Sequence, residues 1–260
     1  MANQHLRIRR DGPIEHVELN RPEVRNAFNP TLIAELRDWA AAVAGDRDVR
    51  VAVLSGAGRV FCAGADLNAM TATISASRAE NVDDARRLAA MFGALDTLPI
   101  PLVGRVHGAA MGGGTGLAAV CDIVIAEVAT IFAFTEVRIG LVPSVISPFV
   151  LEKIGRSAAR DLFLTGRRFS AARAREIGLV HEVVAAEALD EAVQRITHEI
   201  LASGPDSVRG AKRLIRDLPR LTPAEATAMT VETIASCRVS AEGQEGMRAF
   251  LEKRPPRWTR

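Results

Sequence analysis

Three short stretches of the chain pair small residues with a group that could do chemistry. The first is Phe61-Cys62-Ala63-Gly64-Ala65-Asp66-Leu67, where small residues would let a ligand approach the backbone closely. A tight turn that binds nothing is the competing reading of this stretch alone. The second is His107-Gly108-Ala109-Ala110-Met111-Gly112-Gly113-Gly114-Thr115-Gly116. Consecutive glycines weaken any regular element by roughly 0.5–1 kcal/mol each relative to alanine, so the run is easier to explain if its exposed N–H groups are used. At a helix start such groups carry partial positive charge and suit an oxyanion. A phosphate cradle is the other use of such a run, but neither GxxxxGK[ST] nor GxGxxG is present. The third runs from Phe134 to Pro143 and holds Glu136 in largely apolar company. Desolvation would raise its pKa and suit it to proton transfer, whereas a salt bridge with Arg138 would make it structural.

Each stretch sits where a strand hands over to a loop or a helix, and the surrounding pattern supplies those elements. HLRIRRD and PIEHVELN read as two strands joined at Gly12-Pro13. NPTLIAELRDWAAAVAG is an amphipathic helix with Asn29 as N-cap and Pro30 at its first position. VRVAVLSG is apolar almost throughout, as a strand buried on both faces would be. A helix over 80–97, strands in PIPLVGRVHG and DIVIAE, and a helix start at GGTGLAAVCD complete an α/β half. Beyond about residue 143 the pattern is helical, including a capping box at Thr222-Pro223-Ala224-Glu225, and LVHEVV is the single strand expected there. Residues 68–80 are small and polar, a composition expected of a mobile segment near a pocket mouth.

The composition excludes several classes. Lys and Arg number 33 against 31 Asp and Glu, a net charge of +2, which provides no electrostatic footprint for nucleic acid. No run approaches the ~20 apolar residues of a membrane span, and MANQHLRIRRDG lacks a signal-peptide pattern. Three widely spaced cysteines (Cys62, Cys121, Cys237) argue against a disulfide framework and suit a cytoplasmic location. The five histidines lack metal-ligand spacing, so no metal is expected. Cys62 has no adjacent histidine and reads as a small buried thiol, and His107 as a packing or hydrogen-bonding residue.

Taken together, the order and spacing of the three stretches resemble the enoyl-CoA hydratase/isomerase (crotonase) family over almost the whole chain. The resemblance implies an α/β fold: a spiral of stacked β-β-α units over residues 1–200, then a helical trimerisation region over 201–260. It implies that Ala65 and Gly113 supply two N–H groups to a thioester oxygen, with Glu136 as acid/base. It further implies that Arg25, in NRPEVRNAF, contacts the nucleotide end of CoA, and that Ala63, Asp66, Leu67 and Gly112 line the pantetheine channel. Phe250 and Lys253, in AFLEKRPPRW, would reach a neighbouring subunit's CoA in a homotrimer or a hexamer of two trimers. No cofactor is implied beyond the CoA thioester that is the substrate.

The sequence departs from this pattern at one point. Hydratases of the family carry a glutamate after the glycine run, and here that position is Gly116. The continuation GLVPSVISPFVLEKIG resembles bacterial members acting on branched, carboxylated enoyl-CoAs such as 3-methylglutaconyl-CoA, as in branched-chain amino acid degradation. Hydration with Glu136 as the single acid/base is therefore the first expectation. Isomerisation, which needs one base, is the second, and decarboxylation of a malonyl-type thioester is a third. A non-catalytic oligomeric or RNA-binding homologue is a reading of another class. Retention of Glu136 and of both glycine stretches opposes it, as does the balanced charge.

Overall fold

The computed structural model describes residues 3–259. β1 (Leu6–Asp11) and β2 (Ile14–Leu19) form an antiparallel hairpin in which Leu6 faces Leu19. α1 (Pro30–Gly45) begins where expected: the Asn29 side chain accepts a hydrogen bond from the Leu32 N–H at 2.8 Å, and Pro30 occupies the first turn, where its missing donor costs nothing. Its buried side chains Leu32, Leu36, Trp39, Ala40 and Val43 follow helical spacing and turn one face to the sheet. Trp39 satisfies its indole N–H on buried Glu15 at 2.6 Å.

β3 (Val51–Gly56), β4 (Leu102–Val106), β6 (Ile123–Glu127) and β9 (Glu182–Val184) join the hairpin in a six-stranded sheet of order β1-β2-β3-β4-β6-β9. All neighbours after the first pair run parallel. Alternate residues leave for two different cores. Ala52, Leu54, Val106, Val124 and Ala126 enter the large core, while Val51, Val53, Val103 and Ile125 pack under α7 (Leu189–Leu201) against Leu189, Ala192 and Val193. Burial on both faces is why these strands are apolar without alternation.

A second sheet has three strands of three residues each: β5 (Ala109–Met111), β7 (Ile131–Ala133) and β8 (Arg168–Ser170). The sequence pattern offers one strand after residue 143, and β8 is therefore an addition to it. The reason is physical: β8 pairs with β7 through only three residues, and its one inward side chain, Phe169, stacks on Phe132 with ring centroids 5.7 Å apart. The stretch 68–80 is also mostly helical. Asp66 caps α2 (Leu67–Ile74), and Ser77 and Glu80 form a reciprocal capping box at the start of α3 (Arg78–Asp96).

α4 (Gly113–Val120) and α5 (Ser147–Thr165) pack on one another, α5 being broken at Gly155, and α6 (Ala171–Glu176) leads toward β9. α8 (Pro205–Asp217), α9 (Pro223–Val239) and α10 (Ala241–Leu251) close the chain, with the expected capping box on α9. Lys212 ties α8 to the sheet by donating to the Ile100 carbonyl and to Asp122 at 3.0 and 2.6 Å. Loss of one cap should be measurable in this frame. Asn29→Ala is expected to lower unfolding free energy by about 1 kcal/mol in denaturant titration, with the slope unchanged.

Candidate active site

The small sheet brings the three reactive stretches together by backbone pairing. Cys62 bridges to Ala110, with the Met111 N–H donating to the Cys62 carbonyl at 3.0 Å and the Cys62 N–H to the Ala109 carbonyl at 3.1 Å. The Gly112 N–H donates to the Ala133 carbonyl at 2.8 Å, which ties the glycine run to β7 and so to Glu136 three residues on. Buried Thr115 fastens the same corner, its hydroxyl shared between the Ala110 and Ala133 carbonyls at 2.7 and 3.0 Å.

On the other side the loop 21–28 pairs with residues 63–66. Phe28 donates to the Gly64 carbonyl at 2.7 Å and accepts from the Asp66 N–H at 2.9 Å, while Ala63 donates to the Arg25 carbonyl at 2.9 Å. Bonds on either side of Ala65 are thus used, and its own N–H takes no part in them. The Gly113 N–H is likewise the first of α4 and takes no part in the backbone pairing. Ala65 is exposed and Gly113 half-buried, so both lie at a surface-facing edge. Their nearness follows from Gly64: a Cβ built on it would stand 3.7 Å from the Gly113 nitrogen and 2.7 Å from the Met111 carbonyl oxygen. Gly64 also has φ +89°, so both conformation and space require glycine there.

Glu136 lies across Gly112 from this pair. A Cβ on Gly112 would sit 3.0 Å from Glu136 Oε1, and the φ of +51° at Gly112 likewise excludes other residues. Glu136 Oε2 is buried without a hydrogen-bond partner. The salt bridge weighed above is not formed, because Arg138 is directed over Gly166, with its Nε 3.2 Å from where a Cβ there would lie. Burial therefore raises the Glu136 pKa, an effect its own backbone N–H only partly opposes.

The other expected site residues divide into two groups. Arg25 and Leu67 are exposed beside the 62–66 segment, and Ala63 and Gly112 lie within it and the glycine run. Asp66, in contrast, is 4% exposed and occupied by structure: Arg21 pairs with it at 3.0 Å, and the N–H groups of Asn68 and Ala69 bond its Oδ1. Burial alone would raise its pKa, but these N–H groups and the Arg21 guanidinium outweigh that and hold it below the ordinary range. Phe250 is 83% exposed on α10, which packs on α8 and α9. The structure does not bring Phe250 or Lys253 into the contacts described around Glu136. Cys62 is fully buried, its thiol donating to the Asn26 carbonyl, and burial pushes its pKa up to about 12, so it is no nucleophile. His107 bonds the Gly58 carbonyl at 2.9 Å.

Sequence reasoning missed Arg21 and Asn26, which hold the loop in place. Arg21 also donates to the Ala27 carbonyl at 2.6 Å, and buried Asn26 donates to the Ala57, Val60 and Phe61 carbonyls. No spacing rule marks them, since their partners lie more than 30 residues away along the chain or in irregular loops. Among the described residues there is no cluster of three or more His, Cys, Asp or Glu that could hold a metal, and no helix is long and apolar enough to cross a membrane.

Comparison with known proteins accords with this geometry. The Enoyl-CoA hydratase/isomerase family profile matches residues 9–260. The 2,3-dehydroadipyl-CoA hydratase of Escherichia coli (strain K12) is 30% identical over 239 residues, covering 92% of each chain. An enoyl-CoA hydratase from Shewanella pealeana superposes with a TM-score of 0.94 at 35% identity over 98% of this chain and 96% of its own. Pseudomonas aeruginosa AtuE does so with a TM-score of 0.96 at 34% identity over 99% and 100%. The chain belongs to the enoyl-CoA hydratase/isomerase family, and its fold is the mixed α/β crotonase fold with a helical C-terminal region.

Two substitutions separate structural from chemical roles. Asp66→Ala leaves the buried Arg21 charge unpaired and should cost roughly 3–5 kcal/mol of stability, read by denaturant titration. Glu136→Gln should do the opposite. A raised folded pKa means the protonated form is favoured on folding, so the contribution is full at low pH and lost as pH rises through the folded value. The Gln variant should therefore match or exceed the wild-type Tm at pH 8, and the difference should shrink by pH 5.

Proposed function

We propose that this chain is an enoyl-CoA hydratase-type enzyme that uses Glu136 as its single acid/base, acting on a branched or carboxylated enoyl-CoA of the 3-methylglutaconyl-CoA kind. The observation that carries the proposal is the half-buried Glu136, whose Oε2 is buried without a partner, beside a backbone edge bearing two N–H groups outside the backbone pairing. The Ala65 and Gly113 N–H groups hold the thioester oxygen. The Glu136 carboxylate takes a proton from water as the water oxygen bonds to carbon 3. The carbon 2–carbon 3 π pair shifts toward the thioester oxygen as an enolate, which two fixed N–H donors stabilise without reorganisation. The same carboxyl then returns the proton to carbon 2, and the carbonyl reforms, giving the 3-hydroxyacyl thioester. Water and the enoyl thioester are the only reactants, and Glu136 ends the cycle in the protonation state in which it began.

A carboxylated acyl group is in keeping with the E. coli relative, whose name specifies the thioester of a dicarboxylic acid. In this reading the substrate's own carboxylate helps order the water that one glutamate alone holds loosely. Methyl-ester analogues should then be hydrated more slowly than the free acid, and equal rates would remove that part of the proposal. The lone carboxylate also favours a second reading, enoyl-CoA isomerisation, in which Glu136 moves a proton between carbons 2 and 4.

The site is completed by a neighbour in this proposal. Residues 201–260 form the oligomerisation region of a trimer or a hexamer of two trimers, and Phe250 and Lys253 reach the CoA of the adjoining subunit. Exposed Val231, Ile234 and Val239 on α9, with Phe250 and Leu251 on α10, support such a surface.

The test is loss of enoyl absorbance with 3-methylglutaconyl-CoA and crotonyl-CoA. Hydration of the branched diacid, falling at least ~100-fold in Glu136→Gln, is the expected result. The rate should rise with pH, with its midpoint above the ordinary glutamate value of 4.5, because the carboxylate is the active form. Silence on both substrates with turnover of a 3-enoyl-CoA would favour the isomerase.

A further inference from the structure

The basic face of α8, which the reaction does not use, turns toward a cavity. Arg209, Lys212, Arg213 and Arg216 stand at i, i+3, i+4 and i+7 and so share one side of that helix. They line a cavity of about 580 Å³ between α8, α9, the end of α1 and the Leu98-Pro99 segment, and Arg47 adds a fifth cation. The carboxylates in the same wall are Asp206 and Glu232. In a chain whose net charge is only +2, this is a local concentration of positive charge.

The fold accounts for part of it. Arg209 donates to the Asp46 and Val49 carbonyls at 3.4 and 3.1 Å, and Lys212 to the Ile100 carbonyl and to Asp122. Arg47 pairs with Asp206 at 2.9 Å and Arg216 with Asp217 at 2.7 Å. Arg213 is exposed and takes part in none of these contacts. The arrangement is costly all the same. Arg209 and Arg213, and likewise Lys212 and Arg216, are like charges four residues apart, a spacing at which they repel on a helix. Burial first, and then the repulsion of Arg47, holds the Arg209 guanidinium below its ordinary value. Across the cavity α9 presents Thr233, Ser236 and the half-buried Cys237 thiol. Helical spacing turns Val231 and Ile234 to a different side of α9, which separates the apolar surface from this wall.

The cavity is not the catalytic centre. Val49 and Ile100 precede β3 and β4, whereas residues 61–66 and 107–116 follow the far ends of those strands. The six residues of β3, at a rise of ~3.3 Å each, put about 20 Å between the two.

We propose that this cavity is a second ligand site, for a small molecule carrying two linked phosphates, held by Arg47, Arg209 and Arg213 with the Thr233 and Ser236 hydroxyls opposite. Guanidinium forks match phosphate oxygens two at a time, and linked phosphates spread their charge far enough to meet cations from both α8 and the end of α1. Among the described residues no aromatic side chain lines the space, so recognition rests on the phosphates and not on stacking of a base. The bound anion relieves the repulsion along α8 and thereby stabilises the folded chain. The site does not depend on which thioester is turned over.

The test is calorimetric titration of the full chain with inorganic pyrophosphate at low ionic strength, together with the alkylation rate of Cys237. Cys62 and Cys121 are buried, so neutral iodoacetamide reports on Cys237 in the folded protein. One pyrophosphate per chain is expected to bind, to slow alkylation severalfold and to raise Tm. Arg47→Ala/Arg213→Ala should weaken binding at least ~10-fold by removing charge-assisted hydrogen bonds. Both side chains are exposed, so the ligand-free double variant should keep the wild-type Tm. Glu232→Gln, which removes a carboxylate from the wall, should tighten binding and keeps the test decisive if the double variant fails to fold. Adenosine diphosphate that displaces pyrophosphate and shares its dependence on Arg213 would support the site and identify a nucleotide as its ligand. Pyrophosphate that binds more tightly than the nucleotide would support it as an inorganic phosphate site. Absence of binding, binding unaltered in both variants, or binding without protection of Cys237 would overturn the site. Citrate bound as tightly as pyrophosphate would overturn its assignment to phosphate.

Discussion

The arrangement depends on one interaction, the backbone pairing of residues 62–66 with the loop 21–28 on one side and with β5 on the other. Parallel bridging uses alternate amides: Phe28 is bonded to Gly64 and Asp66, and Cys62 to Ala109 and Met111. That register leaves the Ala65 N–H over. The start of α4 leaves the Gly113 N–H over for a different reason, the absence of a preceding turn. Two unpaired donors at one edge are thus a by-product of hydrogen bonds satisfied everywhere around them. Shifting either pairing by one residue would consume the donor or turn it away. The buried Arg21–Asp66 pair and the Asn26 side chain, bonded to three carbonyls, hold the register.

Glu136 is placed by the same small sheet and tuned by what surrounds it. A carboxylate left partly dry and unpaired is a cost to stability, and it persists because β7 and the Gly112 backbone fix its position. The N-cap of α4 and a position inside that helix are glycines for unlike reasons. Gly112 has a positive φ and a carboxylate across from it, whereas Gly116 has an isoleucine where a side chain would go.

Much of this was legible in the sequence. Asn29-Pro30 started α1 as expected, the apolar run of β3 announced a strand buried on both faces, DIVIAE announced β6 as a strand, and backbone pairing brings the three reactive stretches together. The small sheet was not legible, because strands of three residues carry no period and two of them lie in or beside glycine-rich loops. The capping box Ser77-Arg78-Ala79-Glu80 was present as a signal for α3 and was read as polar loop. Asp66 was expected to face substrate, and its pairing with Arg21 depends on a contact 45 residues distant that no local pattern encodes. The packing of Ile146 against Gly116 was not legible either, since only the fold sets the two side by side.

The most direct measurement is the isotope-edited infrared spectrum of the thioester carbonyl of an enoyl-CoA bound to Glu136→Gln. A labelled carbonyl between two fixed N–H donors is polarised, and its stretch should fall below that of the free thioester in water. The shift should diminish in a second protein that adds Gly64→Ala, which disturbs the Ala65 edge. A bound carbonyl with the stretch of the free thioester would contradict the account, since the two N–H groups would then not be holding the oxygen.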